Sequence, residues 1–536
     1  MTTKRKFPAG IQSFERIRRG GYVYVDKTPL IYEMVSQGGP YFLSRPRRFG
    51  KSLLVSTLAA IYEGKRELFE SFTTEEGICQ PQLFIARTNW RWTKHPVFRF
   101  DFSAGDLRDI EELDTLIDET LKGYEQSYHI TPGVTDTNIR MRNLLRISHE
   151  QSGQCAVVLV DEYDNFILHA LGDKRRMEMA RQRFQNLFGP LKEMDEHLEF
   201  VLVTGISRFS QMGIFSKLNQ LLNISMVPMY DAICGISEDE LTTYMREDIE
   251  CLGQERGESY AETLCELKAK YDGYHFSERQ TDIYNPYSLV NVFKTRKMGN
   301  YWFDQGTSGA LIDTLAQMPP IDISEMDGVS LPVTAFDLPL DSFNDPIPVL
   351  YQTGYLTIKD YSAHRDLYTL GFPNAEVRTG FADCLYRHVT GTRPSSATRS
   401  AFLKAYYDFL DSDDFPQFMK SIKTFFASLP YQMEQHNENE HHYHALLYML
   451  LLAFGADVHA EESSAMGRSD IVLKMPSSIY VMELKYDSTA SEALRQIDER
   501  GYAEKYRFDG RQVMKVGVAF SSKQRNIVDW KSEKLT

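Results

Sequence analysis

The period of the apolar positions changes several times along this chain, and each change marks an element. Tyr41-Phe42-Leu43 is a short apolar run. A turn of Arg, Pro and Gly follows, and then Leu53, Leu54 and Leu58 fall at helical spacing. From Val97 to Phe102 the pattern alternates with period two, which puts Phe98, Phe100 and Phe102 on one face of a strand. Ala156 to Val160 and Phe200 to Val203 are continuous apolar runs of the kind buried on both faces of a parallel sheet. Strands alternating with helical stretches in this way predict a helix-covered parallel sheet over roughly the first 230 residues.

A mostly helical stretch is expected from Ser237 to about Ala310. Residues 319–350 are rich in Pro and Asp with little periodicity and read as a connector. A strand pair is expected around Gly354–Ile358 and Asp366–Leu370, and helical spacing returns from about Thr398 to Phe454. The last hundred residues run Ile471-Val472-Leu473, Ile479 to Met482, a charged helix, then Val516 to Phe520. With the helix before them, that order (helix, strand, strand, helix, strand) predicts a second α/β unit, with the turn Gly467-Arg468-Ser469 leading into a strand at Asp470.

Length adds a count: 536 residues at roughly 100–200 per domain give about three domains. A hydrophobic content of 42% with 25% charged residues excludes a disordered or fibrous polymer. The six cysteines are scattered without a CxxC pair, which argues against a zinc or disulfide framework and fits a reducing compartment. The basic start runs into Phe-Pro-Ala-Gly rather than an apolar segment, so no secretory signal is expected. The longest apolar run, Ala445 to Phe454, is half the ~20 residues of a membrane span, so the expectation is cytoplasmic with no membrane partner. Net charge is −14 overall, which argues against broad wrapping by nucleic acid. Residues 1–60 nevertheless hold eleven Lys/Arg against three acids, and that island suggests an anionic ligand near the N-terminus.

Arg45-Pro46-Arg47-Arg48-Phe49-Gly50-Lys51-Ser52 sits between a strand and a helix. It matches the end of the phosphate-loop pattern G-x-x-x-x-G-K-[ST], with Arg45 in place of the first Gly. Such a loop needs a tight turn with amides facing the phosphates, a Lys on the β and γ oxygens, and a hydroxyl on Mg²⁺. Gly50, Lys51 and Ser52 supply these parts, with Arg48, Phe49 and Leu53 as flanking nucleotide-binding candidates. A surface basic turn is the plain alternative. A second half of the site lies 110 residues beyond Lys51, where the buried strand Val157–Val160 ends in Asp161-Glu162. Acids there point into the crevice where parallel sheets bind ligands. Asp161 is expected to hold Mg²⁺ through water and Glu162 to orient or deprotonate the attacking water, although Asp-Glu pairs also serve as helix caps. Thr204 or Ser207, after another buried strand, is placed to sense the γ-phosphate. Arg208 is either a stabiliser of transferred charge or a solvated loop residue.

Together with Phe14-Glu15, Tyr24–Thr28, Phe215–Asn219, Tyr271–Phe276, Tyr284–Leu289 and Asn300–Phe303, these stretches resemble the bacterial AAA-ATPase-like family over the first three hundred or so residues. Arg45 is itself part of that family's loop. The resemblance implies a P-loop ATPase core with a helical extension. The aromatic stretches in it favour core packing over base stacking.

Near the C-terminus, Asp470 precedes Glu483-Leu484-Lys485 by thirteen residues. Residues i and i+2 of a strand share a face, so Glu483 and Lys485 project together, and Asp470 on the adjoining strand would complete two carboxylates and an ammonium. Phosphodiester hydrolysis uses such a set: acids for Mg²⁺ and a cation near the attacking water. A surface acid and an edge-strand Glu/Lys pair is the plain alternative. With Glu440, Tyr443–Leu447, Gly467–Leu473, Val481–Lys485, Ala493–Ile497 and Tyr502, the pattern resembles the PD-(D/E)XK nuclease superfamily over about the last hundred residues. That resemblance implies Asp470 and Glu483 as metal ligands, Lys485 as catalytic cation, Glu440 as a helix acid and Gln496 as a supporting residue. Glu438 and Glu461 compete with Glu440 for its role. His441 and His444 are one helical turn apart, and an ordinary helix start accounts for them better than a metal site.

The expected protein is α/β: an N-terminal P-loop NTPase with an AAA-like parallel sheet, a helical and mixed middle, and a C-terminal restriction-endonuclease-like domain. The expected boundaries are 1–235 for the ATPase core, 236–318 for its helical extension, 319–430 for linker and mixed middle, and 431–536 for the nuclease-like domain. The expected function is ATP-regulated nucleic-acid processing with ATP and Mg²⁺, DNA favoured as substrate, and homo-oligomerisation left open. The rival is a signalling ATPase whose C-terminal domain binds without catalysis.

Overall fold

Every residue of the Ala156–Asp161 strand is buried, as the unbroken apolar run requires of a strand with neighbours on both edges and helices on both faces. Its parallel neighbours are Val97–Asp101 on one side and Leu198–Gly205 on the other. Leu198–Gly205 pairs in turn with Gly39–Ser44, and the short Leu222–Asn223 strand closes that edge. The strand leading into the Arg-rich loop is thus separated from the strand ending in Asp161 by one strand, which ends at Thr204-Gly205. Parallel register brings Leu43 level with Thr204, and Asp101 level with Asp161, so all four carboxyl ends open on one edge.

The computed structural model describes residues 5–103, 109–131, 133–170, 173–207, 220–302, 326–335, 346–390, 396–427, 440–453, 456–464 and 467–535. They form two compact units: residues up to 306 with 330–374, and residues 307–329 with 375 onward. The stretch 319–430 accordingly contributes to both.

In the first unit a helical part follows the sheet, with Glu238–Tyr244, Arg246–Arg256, Tyr260–Tyr271 and Pro286–Thr295 around a core that includes Leu241, Ile249, Leu267 and Leu289. Thr357–Ser362 and Leu367–Gly371 form the expected antiparallel pair. One expectation is corrected: part of the Pro-rich stretch read as connector is a helix, Ile347–Thr353, buried from Ile347 to Gln352. Proline breaks a helix only beyond its first turn, and Pro346 and Pro348 occupy that end.

The second unit carries a five-stranded sheet in the order Val458–Ser464, Gly467–Lys474, Ser478–Tyr486, Gln512–Ser521, Asn526–Lys534. The third and fourth strands are parallel, and the Ala490–Arg500 helix connects them. That helix lies so close to the sheet that a Cβ on Gly517 would stand 2.1 Å from the Ala490 carbonyl oxygen. Two features differ from expectation. The outer strands were not legible, because edge strands keep a polar face and Val-His-Ala-Glu-Glu-Ser-Ser lacks an apolar run. Asp470 also lies inside its strand, not at its start: Gly467, Arg468 and Ser469 already pair with Ser464, Ser463 and Glu462.

Candidate functional site

The Arg-rich loop is held from both sides. Arg45 is 1% exposed. Its guanidinium donates to the carbonyls of Ser44 at 3.0 Å, Ser225 at 2.8 Å and Tyr230 at 3.0 Å, and lies over the Phe276 ring. The residue that departs from the phosphate-loop pattern therefore anchors the loop's entry. Gly50, with φ +96°, adopts the left-handed backbone that turns the chain into the Lys51–Tyr62 helix. Lys51 is buried, and its ammonium donates to the carbonyls of Arg45 at 3.0 Å and Pro46 at 3.1 Å, so the loop closes on its own lysine. Ser52 follows in the first helical turn, half-buried. Phe49 is a core residue, edge-on to Tyr274 and Phe276. Arg48 lies 4.1 Å from the centre of the Tyr287 ring. Tyr271, Tyr274 and Trp302 are buried, and the Trp302 indole donates to the Arg47 carbonyl at 3.4 Å.

At the end of the neighbouring strands, Thr204 Oγ1 donates to Asp161 Oδ1 at 2.7 Å, and Asp161 is 2% exposed. Glu162 sits at φ +49°, a conformation non-glycine residues adopt only when their surroundings impose it. Burial pushes the Glu162 carboxyl up, Lys51 and Arg47 pull it back, and Asp161 adds to the rise. Asp164 is fully buried and accepts from the amides of Ile206 at 2.8 Å and Ser207 at 2.6 Å, and from the Ser207 hydroxyl. Ser207 is thereby committed to Asp164, which the sequence pattern did not reveal. Arg208 lies outside the described residues. Arg47, which the loop pattern does not single out, acts on Glu162 electrostatically.

Gly50 and Leu53 form one wall of an apolar cavity of about 100 Å³. Val25, Ile31, Ile236 and Val290 line it too, as does Lys27, which is paired with Glu240 at 2.5–2.7 Å.

The basic island at the N-terminus is largely spent on structure. Arg18 is fully buried and donates to the Leu68, Glu70 and Pro81 carbonyls and to Gln80. Arg5, Lys6, Arg19 and Lys27 are paired with Asp248, Glu76, Glu15 and Glu240.

In the second unit, Ile471 pairs with Met482, so Asp470 and Glu483 stand one step further along the same two strands. Asp470 Oδ2 accepts the Leu484 amide at 2.7 Å. Glu483 is 1% exposed, and its Oε1 accepts from the Lys485 ammonium at 3.1 Å and from the Gln496 amide. Lys485 also donates to the Leu484 carbonyl at 3.1 Å. Buried His444, on the Glu440–Ala453 helix, places Nε2 2.8 Å from the Asp470 carbonyl oxygen. The helix bearing Glu440 is thus tied to the strand bearing Asp470. The sequence signal for this was the histidine cluster, read only as a helix start.

Residues 8–215 match the family model for a predicted AAA-ATPase, and residues 438–530 match that of the PD-(D/E)XK nuclease superfamily. An uncharacterized protein in the vnfD 5′ region of Azotobacter chroococcum mcd 1 is 32% identical over 544 aligned positions, spanning 99% of this chain and 100% of that protein. The chain belongs to this family of predicted AAA-ATPases with a C-terminal PD-(D/E)XK nuclease superfamily domain. No solved structure matches it. Among the described residues no helix is long and apolar enough to cross a membrane.

Proposed function

We propose that this protein hydrolyses ATP at the Arg-rich loop and cleaves phosphodiesters of nucleic acid, DNA being favoured, at its C-terminal carboxylates, with the ATP state regulating the cut. The observation that carries this reading is the meeting of Asp470, Glu483, Lys485 and Gln496 across two strands and a helix.

At the loop, Lys51 would exchange its two carbonyl bonds for phosphate oxygens, and the amides entering the Lys51–Tyr62 helix would face the same phosphates. The base would enter the apolar cavity beside Leu53. Ser52 and Asp161 offer hard oxygens that suit Mg²⁺, which when bound offsets the charge of the transferring phosphoryl group. Glu162 would take the proton of the attacking water, a role that a carboxyl raised by burial suits. Arg208 is proposed as charge stabiliser on the sequence pattern alone.

At the carboxylates, Asp470 and Glu483, with Glu440 as a further candidate, offer an oxygen set suited to Mg²⁺ or Mn²⁺, which when bound lowers the pKa of an attacking water. Gln496 and Lys485 hold Glu483 in one orientation, and Lys485 supplies positive charge where the phosphate gains negative charge.

The test is cleavage of a mixed nucleic-acid panel with Mg²⁺ or Mn²⁺, with and without ATP, by wild type, Lys485→Ala and Lys51→Ala. Cutting by wild type that vanishes in Lys485→Ala supports the nuclease, and an altered ATP response in Lys51→Ala supports regulation. ATP hydrolysis without cutting by any form would replace this reading with a signalling switch.

A further inference from the structure

Away from both sites, three carboxylates meet in the helical part of the first unit. Glu238 opens the Glu238–Tyr244 helix, Asp272 caps the end of Tyr260–Tyr271, and Asp282 precedes the Ile283–Tyr284 strand. One oxygen from each lies within 4.8 Å of the other two. Acidic clusters are common without a ligand, so the cluster alone says little. Its own buried member, Asp272, and a buried tyrosine beside it say more.

Asp272 is 2% exposed, and neither of its carboxylate oxygens accepts a hydrogen bond of normal geometry. Tyr284 is fully buried, its hydroxyl has no hydrogen-bond partner, and it stands in the field of Asp272, Glu238 and Asp282. Folded proteins rarely leave two such groups together unless water or an ion serves them.

Lys268 shows how a cation meets this cluster. Its ammonium is 2.5 Å from Glu238 and 3.1 Å from Asp282, but only 3.9 Å from Asp272, the deepest of the three. Its side chain is 46% exposed, so it can leave for solvent. His275 fixes Asp282 from behind, with Nε2 2.7 Å from Oδ1 and Nδ1 2.8 Å from the Ile358 carbonyl oxygen. A ligating carboxylate held by a second group is the arrangement metal sites use.

We propose that Glu238, Asp272 and Asp282 form a binding site for a divalent cation that prefers oxygen ligands, with Lys268 as the internal cation it displaces. All-carboxylate donors select Ca²⁺, Mg²⁺ or Mn²⁺ over metals that favour nitrogen or sulfur. The ion would tie a helix start, a helix end and a strand together, and so brace the turn that carries His275.

The test uses the full chain with Asp470→Asn and Glu483→Gln, free of nucleotide, so that neither of the other sites competes. Terbium(III), a luminescent stand-in for such cations, should give saturable luminescence sensitised by nearby tyrosine and displaced by Ca²⁺ or Mn²⁺. Adding Asp272→Asn, which keeps the side-chain shape, should weaken binding at least tenfold and abolish the rise in melting temperature caused by Ca²⁺. Adding Lys268→Met should tighten binding several-fold. No saturable signal, equal affinity after Asp272→Asn, or no tightening after Lys268→Met would overturn the proposal.

Discussion

The Arg45 guanidinium lies 4.0 Å from the centre of the Phe276 ring, more than two hundred residues away in the chain. With its bonds to the Ser44, Ser225 and Tyr230 carbonyls, this contact holds the loop's entry where a glycine would otherwise set the turn. Restoring the usual glycine should therefore harm the protein. Arg45→Gly is expected to lose ~3 kcal/mol or more of stability, because buried carbonyls lose a charged donor. Urea unfolding measures this, and a midpoint unchanged from wild type would contradict the anchoring role.

Lys51→Ala should separate binding from folding. Saturating ATP with Mg²⁺ is expected to raise the melting temperature of wild type, since a ligand at a hundred times its Kd adds about 2.7 kcal/mol. The variant should fold and show no such rise. A full rise in Lys51→Ala would move the nucleotide elsewhere.

Gln496 donates to Glu483, so on the proposed nuclease reading its loss should appear in metal dependence before it appears in stability. Gln496→Ala is expected to raise the Mn²⁺ concentration for half-maximal cleavage about tenfold, as loss of a group behind a metal ligand commonly does. Cleavage titrated against Mn²⁺ reads this directly, and an unchanged midpoint would make Gln496 a bystander.

His444 ties its helix to the strand at Asp470. His444→Ala is expected to cost ~1–3 kcal/mol by leaving a buried carbonyl without its donor. His444→Gln, which can still donate, should recover part of it. Chemical unfolding followed by the tyrosines of the second unit gives the comparison.

Asp231, within the field of the loop anchor Arg45, provides a pH dependence. It is 2% exposed and accepts from Ser277 at 2.8 Å and Thr281 at 3.1 Å. Burial pushes its carboxyl up against the pull of these bonds and of Arg45. The folded state therefore holds this proton more tightly than the unfolded chain does. Its stabilising contribution is complete below the ordinary carboxylate range and is lost as pH rises through the raised value. Asp231→Asn should remove that loss, so stability relative to wild type should improve as pH rises from 4 to 7. A flat difference would show that Asp231 titrates normally in the folded protein.

Much of the sheet was legible because its signals are local. Ala156–Val160 and Phe200–Val203 can be buried on both faces in only a few ways, and both became central strands. The strand at Val458–Ser464 was hidden by its polarity, since an edge strand needs no apolar run. The helix at Ile347–Thr353 was hidden by its prolines, which read as breakers until their place in the first turn is known. The pairing of Glu483 with Lys485 followed from strand alternation, whereas the His444 contact with Asp470 crosses 26 residues that no periodicity spans.

By itself the sequence determined which side chains could do chemistry and on what local element each would sit: Lys51 at a helix start, Asp161 at a strand end, Glu483 two residues before Lys485 on one strand. Those facts depend on neighbours within a few residues, and local propensity and alternation decide them. Only the tertiary structure decided which charges are available. It buried Arg18 and Arg45 against carbonyls, closed Lys51 onto its own loop, and brought Asp272 beside Glu238 and Asp282. Such assignments depend on which distant elements pack together. Packing is settled by the whole core at once, because a buried charge must find its partners wherever the folded chain places them.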